Sequence, residues 1–170
     1  MPSVFSKTKD VLLHLLLVLI GLFAGMLFFH EMCPVETKLS PIEYAKYWKI
    51  VDGSFMHERM KIVGPLMLVV FIINILVNLK DWKSRRFLLL LLSFGFMIAD
   101  LVLAVSSQLP INEFINSLNM ENISDSEMTR LQNAQLTAID NFHYRLAFGL
   151  LCFAILCLVP FSKKPQRQLA

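Results

Sequence analysis

Four long apolar runs constrain the fold of this chain more than any other feature of its sequence. A helix needs roughly 20 apolar residues to cross a hydrocarbon core of about 30 Å. The runs are continuous rather than alternating, and a helix satisfies its own backbone hydrogen bonds in lipid. The sequence therefore predicts an all-α fold, a four-transmembrane-helix bundle in a single domain of residues 1–170, with membrane helices at about 10–32, 55–80, 86–108 and 125–161.

The two longer loops carry helix-start signals of their own. Ser40 followed by Pro41 and Glu43 is typical of a capping box with proline in the first turn, and predicts an interfacial helix over about 41–51. Ser124 and Glu127 form the same pattern, so the fourth helix is expected to begin in the loop, well before it enters the membrane. Both long loops are therefore predicted to be helical.

Charge placement predicts the orientation. Nine of the 16 Lys and Arg residues lie in the amino-terminal tail, the loop between the second and third helices, and the carboxyl tail. Positive charge concentrates in short cytoplasmic segments. We expect an integral protein of a plasma or bacterial inner membrane, with the N-terminus and C-terminus cytoplasmic and the longer loops outside. The half of the bundle next to those loops is called the outer half below.

Composition agrees with a membrane location and excludes other classes. The chain is 56% hydrophobic and 17% charged, against about 25% charged in soluble domains. A net charge of +3 spread over short clusters gives no basic face for nucleic acid. The three Cys residues form neither a disulfide framework nor a metal finger. The expected partners are membrane lipids, a hydrophobic small molecule, a second copy of the chain or a membrane partner protein.

Ionisable residues gather in the outer half, where they are functional candidates by default. His30 ends the first helix, His57 and Glu58 begin the second, and Asp140 and His143 begin the fourth. Asp140 is three residues before His143, so its carboxylate is expected to orient the imidazole. One interpretation is a ligand-binding pocket of His30, His57, Glu58 and Asp140; the other is plain pairing near the lipid headgroups. A metal held by His30, His57 and His143 is a weaker alternative, since the spacing matches no ligand motif.

Asp100 lies deeper in the membrane, about 10 Å below the outer end of the third helix. A carboxylate at that depth costs several kcal/mol unless it is paired or protonated. The expected partners are Arg145, Arg59 or a histidine of a neighbouring helix. The alternative is a protonated Asp100 that bonds a neighbouring helix.

Four short motifs resemble one membrane-protein family. They are Ala24-Gly-Met-Leu-Phe-Phe29 with Pro34 after it, Pro65 early in the second helix, Leu109-Pro-Ile-Asn-Glu113, and Phe142-His-Tyr-Arg145. In this order the chain is similar to the DUF1772 group of four-helix membrane proteins, which includes the fungal anthrone oxygenases. The family's tryptophans ahead of the last-helix histidine are missing here.

The resemblance implies that His143, Arg145 and Asn112 lie near one another as catalytic residues, and Asp100, deep in the membrane, is a further catalytic candidate. In an oxygenase of this type His143 is the base, and Arg145 and Asn112 hold an oxyanion on a phenol-like substrate, without a cofactor. Two other functions remain open: a non-catalytic membrane component that binds a lipid or acts as an accessory subunit, and an oligomeric transporter or channel. The sequence itself identifies no cofactor.

Overall fold

The computed structural model describes residues 4–53 and 57–162, with the side chains of 7–53 and 61–162. Every regular element in these ranges is helical, and none is a strand. The α-helices are α1 (Val4–Met32), α2 (Pro41–Val51), α3 (His57–Asn78), α4 (Arg85–Leu103), α5 (Leu109–Ser117) and α6 (Asp125–Leu158). The expected start of the second membrane helix near Phe55 lies outside the described residues.

Four helical stretches are long and apolar enough to cross a membrane, which confirms the predicted all-α, four-helix fold. They cover Lys7–Lys38, Lys61–Asp81, Arg85–Ser117 and Asp125–Ser162. α1 packs against α3 and α6, and α4 packs against the same two helices, so the four helices form a closed ring. This arrangement is the one expected of an integral membrane protein.

The bundle has two apolar clusters, one for each half. The inner cluster lies where α1, α3, α4 and α6 meet, around Leu16, Phe71, Leu90 and Leu156. The outer cluster joins α2, α5 and the first half of α6 over the end of α1. The long loops therefore form a packed cap on the outer half.

Both predicted capping boxes are present. The Ser40 hydroxyl accepts the Glu43 N–H, and the Glu43 carboxylate accepts the Ser40 N–H at 2.9 Å. These bonds hold the pKa of Glu43 below its usual value. The same reciprocal bonds join Ser124 and Glu127 at the start of α6. The first backbone N–H groups of a helix have no partner within the helix. These helices begin at these residues because the capping side chains accept hydrogen bonds from such groups.

The third membrane helix continues well past residue 108, where the sequence placed its end. After Leu103 the backbone widens into a π-helical turn over Ala104–Gln108 and then continues as α5. Pro110 lies in the first turn of α5. A proline ring collides with the carbonyl four residues before it in a regular helix, so the wider turn lets the chain pass Pro110 without ending the helix.

Candidate functional site

An ion pair inside the outer half is the best-defined polar feature of the bundle. Arg145 Nε donates to Asp100 Oδ1 at 2.8 Å, and Arg145 Nη2 lies 3.5 Å from Asp100 Oδ2. The Asp100 side chain is 9% exposed and the Arg145 side chain 13%. The partner of Asp100 in the structure is Arg145, which is one of the partners predicted from the sequence. The ion pair connects α4 with α6.

The pair lies far from either end of the bundle. Asp100 is fifteen residues after Arg85 and seventeen before Ser117, the two ends of this helical stretch, which is about 22 Å and about 25 Å along the helix axis. A charged pair at that depth is costly, and such pairs mark functional sites in membrane proteins.

A polar seam continues from this pair towards the outer surface. Asn141 is one turn before Arg145 on α6, and its amide donates to Ser107 Oγ at 2.9 Å and to Gln108 Oε1 at 3.3 Å. Gln108 in turn donates to Asn112 Oδ1 at 3.0 Å. Ser107 and Gln108 are adjacent, and the π-helical turn brings both side chains to α6. Asn112 is thus part of a buried amide network that the sequence reasoning did not identify.

A small enclosed cavity adjoins the ion pair. Asp100 lines it together with apolar residues of α1, α4 and α6: Ile20, Phe23, Phe96, Met97, Phe148, Gly149 and Cys152. The cavity is therefore a mostly apolar space with one carboxylate at its wall, inside the ring of helices.

An open apolar groove lies on the outside of the same two helices. It has a volume of about 440 Å³ and is lined by Leu88, Leu91, Leu92, Gly95, Phe96, Ala99 and Phe148. Phe96 and Phe148 line both the groove and the inner cavity. Their ring centroids are 6.4 Å apart. These two side chains therefore belong to the lining of the groove and also to that of the cavity beside Asp100.

The described histidines of the outer half pair with glutamates of the α1 end. His30 Nε2 lies 3.4 Å from Glu36 Oε1, and its ring lies on Phe142 with centroids 4.0 Å apart. His143 Nε2 lies 3.3 Å from Glu31 Oε1, with both side chains well exposed. The expected pairing of Asp140 with His143 is not seen: Asp140 is exposed, and Glu31 lies against the imidazole instead.

The implied base and the two implied oxyanion ligands belong to three different polar groups. His143 lies with Glu31 at the surface, Arg145 with Asp100 inside, and Asn112 with Gln108. Residues two apart on a helix point about 200° from each other, so His143 and Arg145 face different sides of α6. The structure does not bring this set to one point.

His57 and Glu58 were also predicted to bind a ligand, and their side chains lie outside the described part of the chain. Within the described part, no three His, Cys, Asp or Glu side chains are grouped closely enough to hold a metal ion. The alternative metal site of His30, His57 and His143 stays a hypothesis, because the side chain of His57 lies outside the described part of the chain.

The cap contains buried polar residues that sequence reasoning missed. Glu36 is 3% exposed, and Gln135 donates to the carbonyls of Glu36 and Leu39 at 2.8 and 3.0 Å. The Tyr44 hydroxyl and the Trp48 indole N–H are buried without a hydrogen-bond partner among the described residues. Burial, with the Glu36 charge adding to it, raises the pKa of Tyr44. Tyr44 therefore stays protonated and has no role as a base.

Comparisons with protein-family models, with curated proteins and with solved structures find no significant match to this chain. The resemblance to the DUF1772 group therefore depends on the four sequence motifs alone.

Proposed function

We propose that this protein binds a hydrophobic small molecule or lipid, which it takes from the bilayer into the middle of the bundle beside the Asp100–Arg145 pair. The observation that carries the proposal is the shared lining of Phe96 and Phe148. Both side chains line the open groove and also line the cavity at Asp100. A rotation of these two rings joins the two spaces.

The groove suits the apolar body of such a molecule. Its wall consists of leucine and phenylalanine side chains, and Gly95 and Ala99 lower the surface of α4 between them. Binding sites for small molecules are mostly apolar concavities with a few convergent polar groups. The groove supplies the apolar part, and the Asp100–Arg145 pair next to the cavity supplies the polar groups.

The ion pair suits the polar end of the molecule. The contacts with Asp100 use two N–H groups of Arg145, and a guanidinium has five donors. The remaining donors are available to an oxygen-bearing head group that reaches the ion pair; the cavity, of about 10 Å³ and not lined by Arg145, widens to admit it. A head group of this kind gains a charge-assisted hydrogen bond in a place with little water.

The arrangement favours binding over catalysis. The oxygenase chemistry implied by the family resemblance requires His143 next to the substrate. His143 does not line the cavity or the groove, and it lies with Glu31 at the surface. A binding role needs only the groove, the two phenylalanines and the ion pair.

Replacing Gly95 by leucine tests the proposal. A Cβ at Gly95 meets nothing within 4 Å, so the leucine fills the groove without a clash inside the protein. We expect unchanged thermal unfolding and at least a tenfold loss of the hydrophobic molecule that copurifies with the chain, measured by native mass spectrometry and by mass analysis of solvent extracts.

Gly25 provides the matched control. It is exposed on α1, away from the groove, and a Cβ there also meets nothing within 4 Å. Gly25→Leu is expected to retain the wild-type amount of bound molecule. Equal retention in both variants contradicts a site in the groove, and a copurifying protein that Gly95→Leu releases identifies the groove as an accessory-subunit contact instead.

We further propose that the long-loop end faces outward, as the charge distribution predicts. Cys33 is exposed at that end, whereas Cys152 is buried within α6. A membrane-impermeant maleimide is expected to label intact spheroplasts through Cys33, and Cys33→Ser is expected to abolish the labelling. Labelling that appears only after lysis and is lost in Cys33→Ser means the opposite orientation, because a signal that remains in that variant comes from the partly exposed Cys157 near the end of α6.

A further inference from the structure

The short loop between α3 and α4 concentrates positive charge at the inner end of the bundle. Residues 80–86, called the basic loop here, hold Lys80, Lys83, Arg85 and Arg86 against the single acid Asp81. These seven residues therefore contain more positively charged side chains than form ion pairs within the described part of the protein.

Internal ion pairs account for only part of this charge. Lys9 Nζ lies 3.2 Å from Asp81 Oδ2, and Arg86 Nη1 lies 3.2 Å from Asp10 Oδ1. These pairs occupy Asp81 and Arg86 of the loop. Within the described residues, Lys80, Lys83 and Arg85 are exposed and have no acidic partner.

The side chains around these cations are those of a membrane–water boundary. Trp82 is 58% exposed within the loop, and Lys83 Nζ lies 4.9 Å from the centroid of its ring. Leu79 is exposed immediately before the loop, and Phe161 is exposed in the turn after α6, which contacts α4. Tryptophan prefers the headgroup level of a bilayer, so the cations lie where lipid phosphates lie.

The start of α4 adds to the positive potential. α4 begins at Arg85, and the Ser84 hydroxyl accepts the N–H of Phe87 at 3.2 Å. The first N–H groups of a helix have no partner within the helix and carry partial positive charge. Arg85 therefore stands at the positive end of a nineteen-residue helix.

We propose that the basic loop binds the phosphate headgroup of an anionic phospholipid, with Lys80, Lys83 and Arg85 as its ligands and Trp82 beside the glycerol region. The site is independent of the groove on α4 and α6. A bilayer lipid fits better than a soluble phosphate because the exposed apolar side chains of Leu79 and Trp82 are next to these cations in the chain. Each cation near an anionic lipid surface strengthens binding by about fivefold.

Quenching of tryptophan fluorescence by brominated lipids tests this site on the full-length chain in detergent micelles. Brominated phosphatidylglycerol is expected to quench Trp82 at a much lower mole fraction than brominated phosphatidylcholine. In the triple variant Lys80→Gln, Lys83→Gln, Arg85→Gln, the mole fraction of brominated phosphatidylglycerol needed to quench Trp82 is expected to rise roughly 100-fold. The mole fraction of brominated phosphatidylcholine needed for the same quenching is expected to stay unchanged. Trp82→Phe identifies the part of the signal that comes from the loop.

A second triple variant controls for net charge. Lys38, Lys46 and Arg130 are exposed at the opposite end of the bundle, and their replacement by glutamine removes the same charge. This variant is expected to bind phosphatidylglycerol like the wild type. The proposal is overturned by equal quenching from the two lipids in the wild type, by equal weakening in both triple variants, or by displacement of the lipid with millimolar inorganic phosphate.

Discussion

Replacing Asp100 by alanine is expected to destabilise the bundle by about 3–5 kcal/mol, because Arg145 then remains buried without its counter-charge. The Arg145 side chain is only 13% exposed, and its hydrogen bond to Asp100 is 2.8 Å long. Thermal unfolding in detergent measures the loss. Asn74→Ala is the control: Asn74 also joins two helices by a buried hydrogen bond, to Leu12 O at 3.0 Å, and its loss is expected to cost only about 0.6–2 kcal/mol.

A double variant separates stability from binding. Asp100→Leu with Arg145→Met removes both charges, and apolar replacement of a buried pair is commonly neutral or stabilising. We expect stability within about 1–2 kcal/mol of the wild type and no retained hydrophobic molecule. A double variant as unstable as Asp100→Ala contradicts the ion-pair explanation, and one that still retains the molecule contradicts a role of the pair in binding.

Gly149→Leu is expected to destabilise the bundle by about 1–3 kcal/mol through overpacking. A Cβ at Gly149 comes 2.9 Å from Leu27 Cδ1 and 3.8 Å from Ala24 Cα, and both of these residues are buried. Gly149 also lines the cavity beside Asp100, so the leucine fills that cavity as well. Thermal unfolding and retained ligand are the measurements.

Two further substitutions show whether the expected effect is local to this contact. Gly149→Ala is expected to cost less, because the Leu27 methyl group can rotate away from a single added carbon. Gly25→Leu is expected to change neither stability nor binding, since nothing lies within 4 Å of its Cβ. A Gly149→Leu variant with wild-type stability contradicts the close α1–α6 packing.

The parts of the fold that depend on local sequence were predictable. Membrane spans follow from apolar runs, and the starts of α2 and α6 follow from the capping residues Ser40 and Ser124. The need of Asp100 for a partner also follows from its apolar neighbours, and Arg145 was among the candidates. These features require only neighbouring residues and the properties of lipid.

The parts that depend on how helices rotate against each other were not predictable. Local spacing pairs His143 with Asp140, but the packing of α6 on α1 brings Glu31 closer. Gly21 and Gly25 look equivalent in sequence, and only Gly21 faces a neighbour, with Phe153 3.0 Å from its Cβ. The local sequence of these membrane helices does not show which face of each helix meets a neighbouring helix.

Other site features depend on contacts between distant segments. Glu36 lies in a short 3-10 helical turn after Pro34, where a glutamate is ordinarily exposed, and its backbone carbonyl accepts a hydrogen bond from Gln135, ninety-nine residues away. The shared lining of Phe96 and Phe148 likewise arises from two helices far apart in sequence. One signal was present and unused: Pro110 inside an apolar stretch points to an irregular turn, which is where Ser107 and Gln108 meet Asn141.

Photocrosslinking in a bilayer tests the central claim most directly. The full-length chain is reconstituted in liposomes with a fatty acid that carries a diazirine on its acyl chain, and the attachment sites are mapped by peptide mass spectrometry. Binding in the groove predicts saturable attachment concentrated on residues 88–99 of α4 and around Phe148 of α6, lost in Gly95→Leu and kept in Gly25→Leu. Attachment spread evenly over the lipid-facing sides of all four helices, unchanged by Gly95→Leu, contradicts the account.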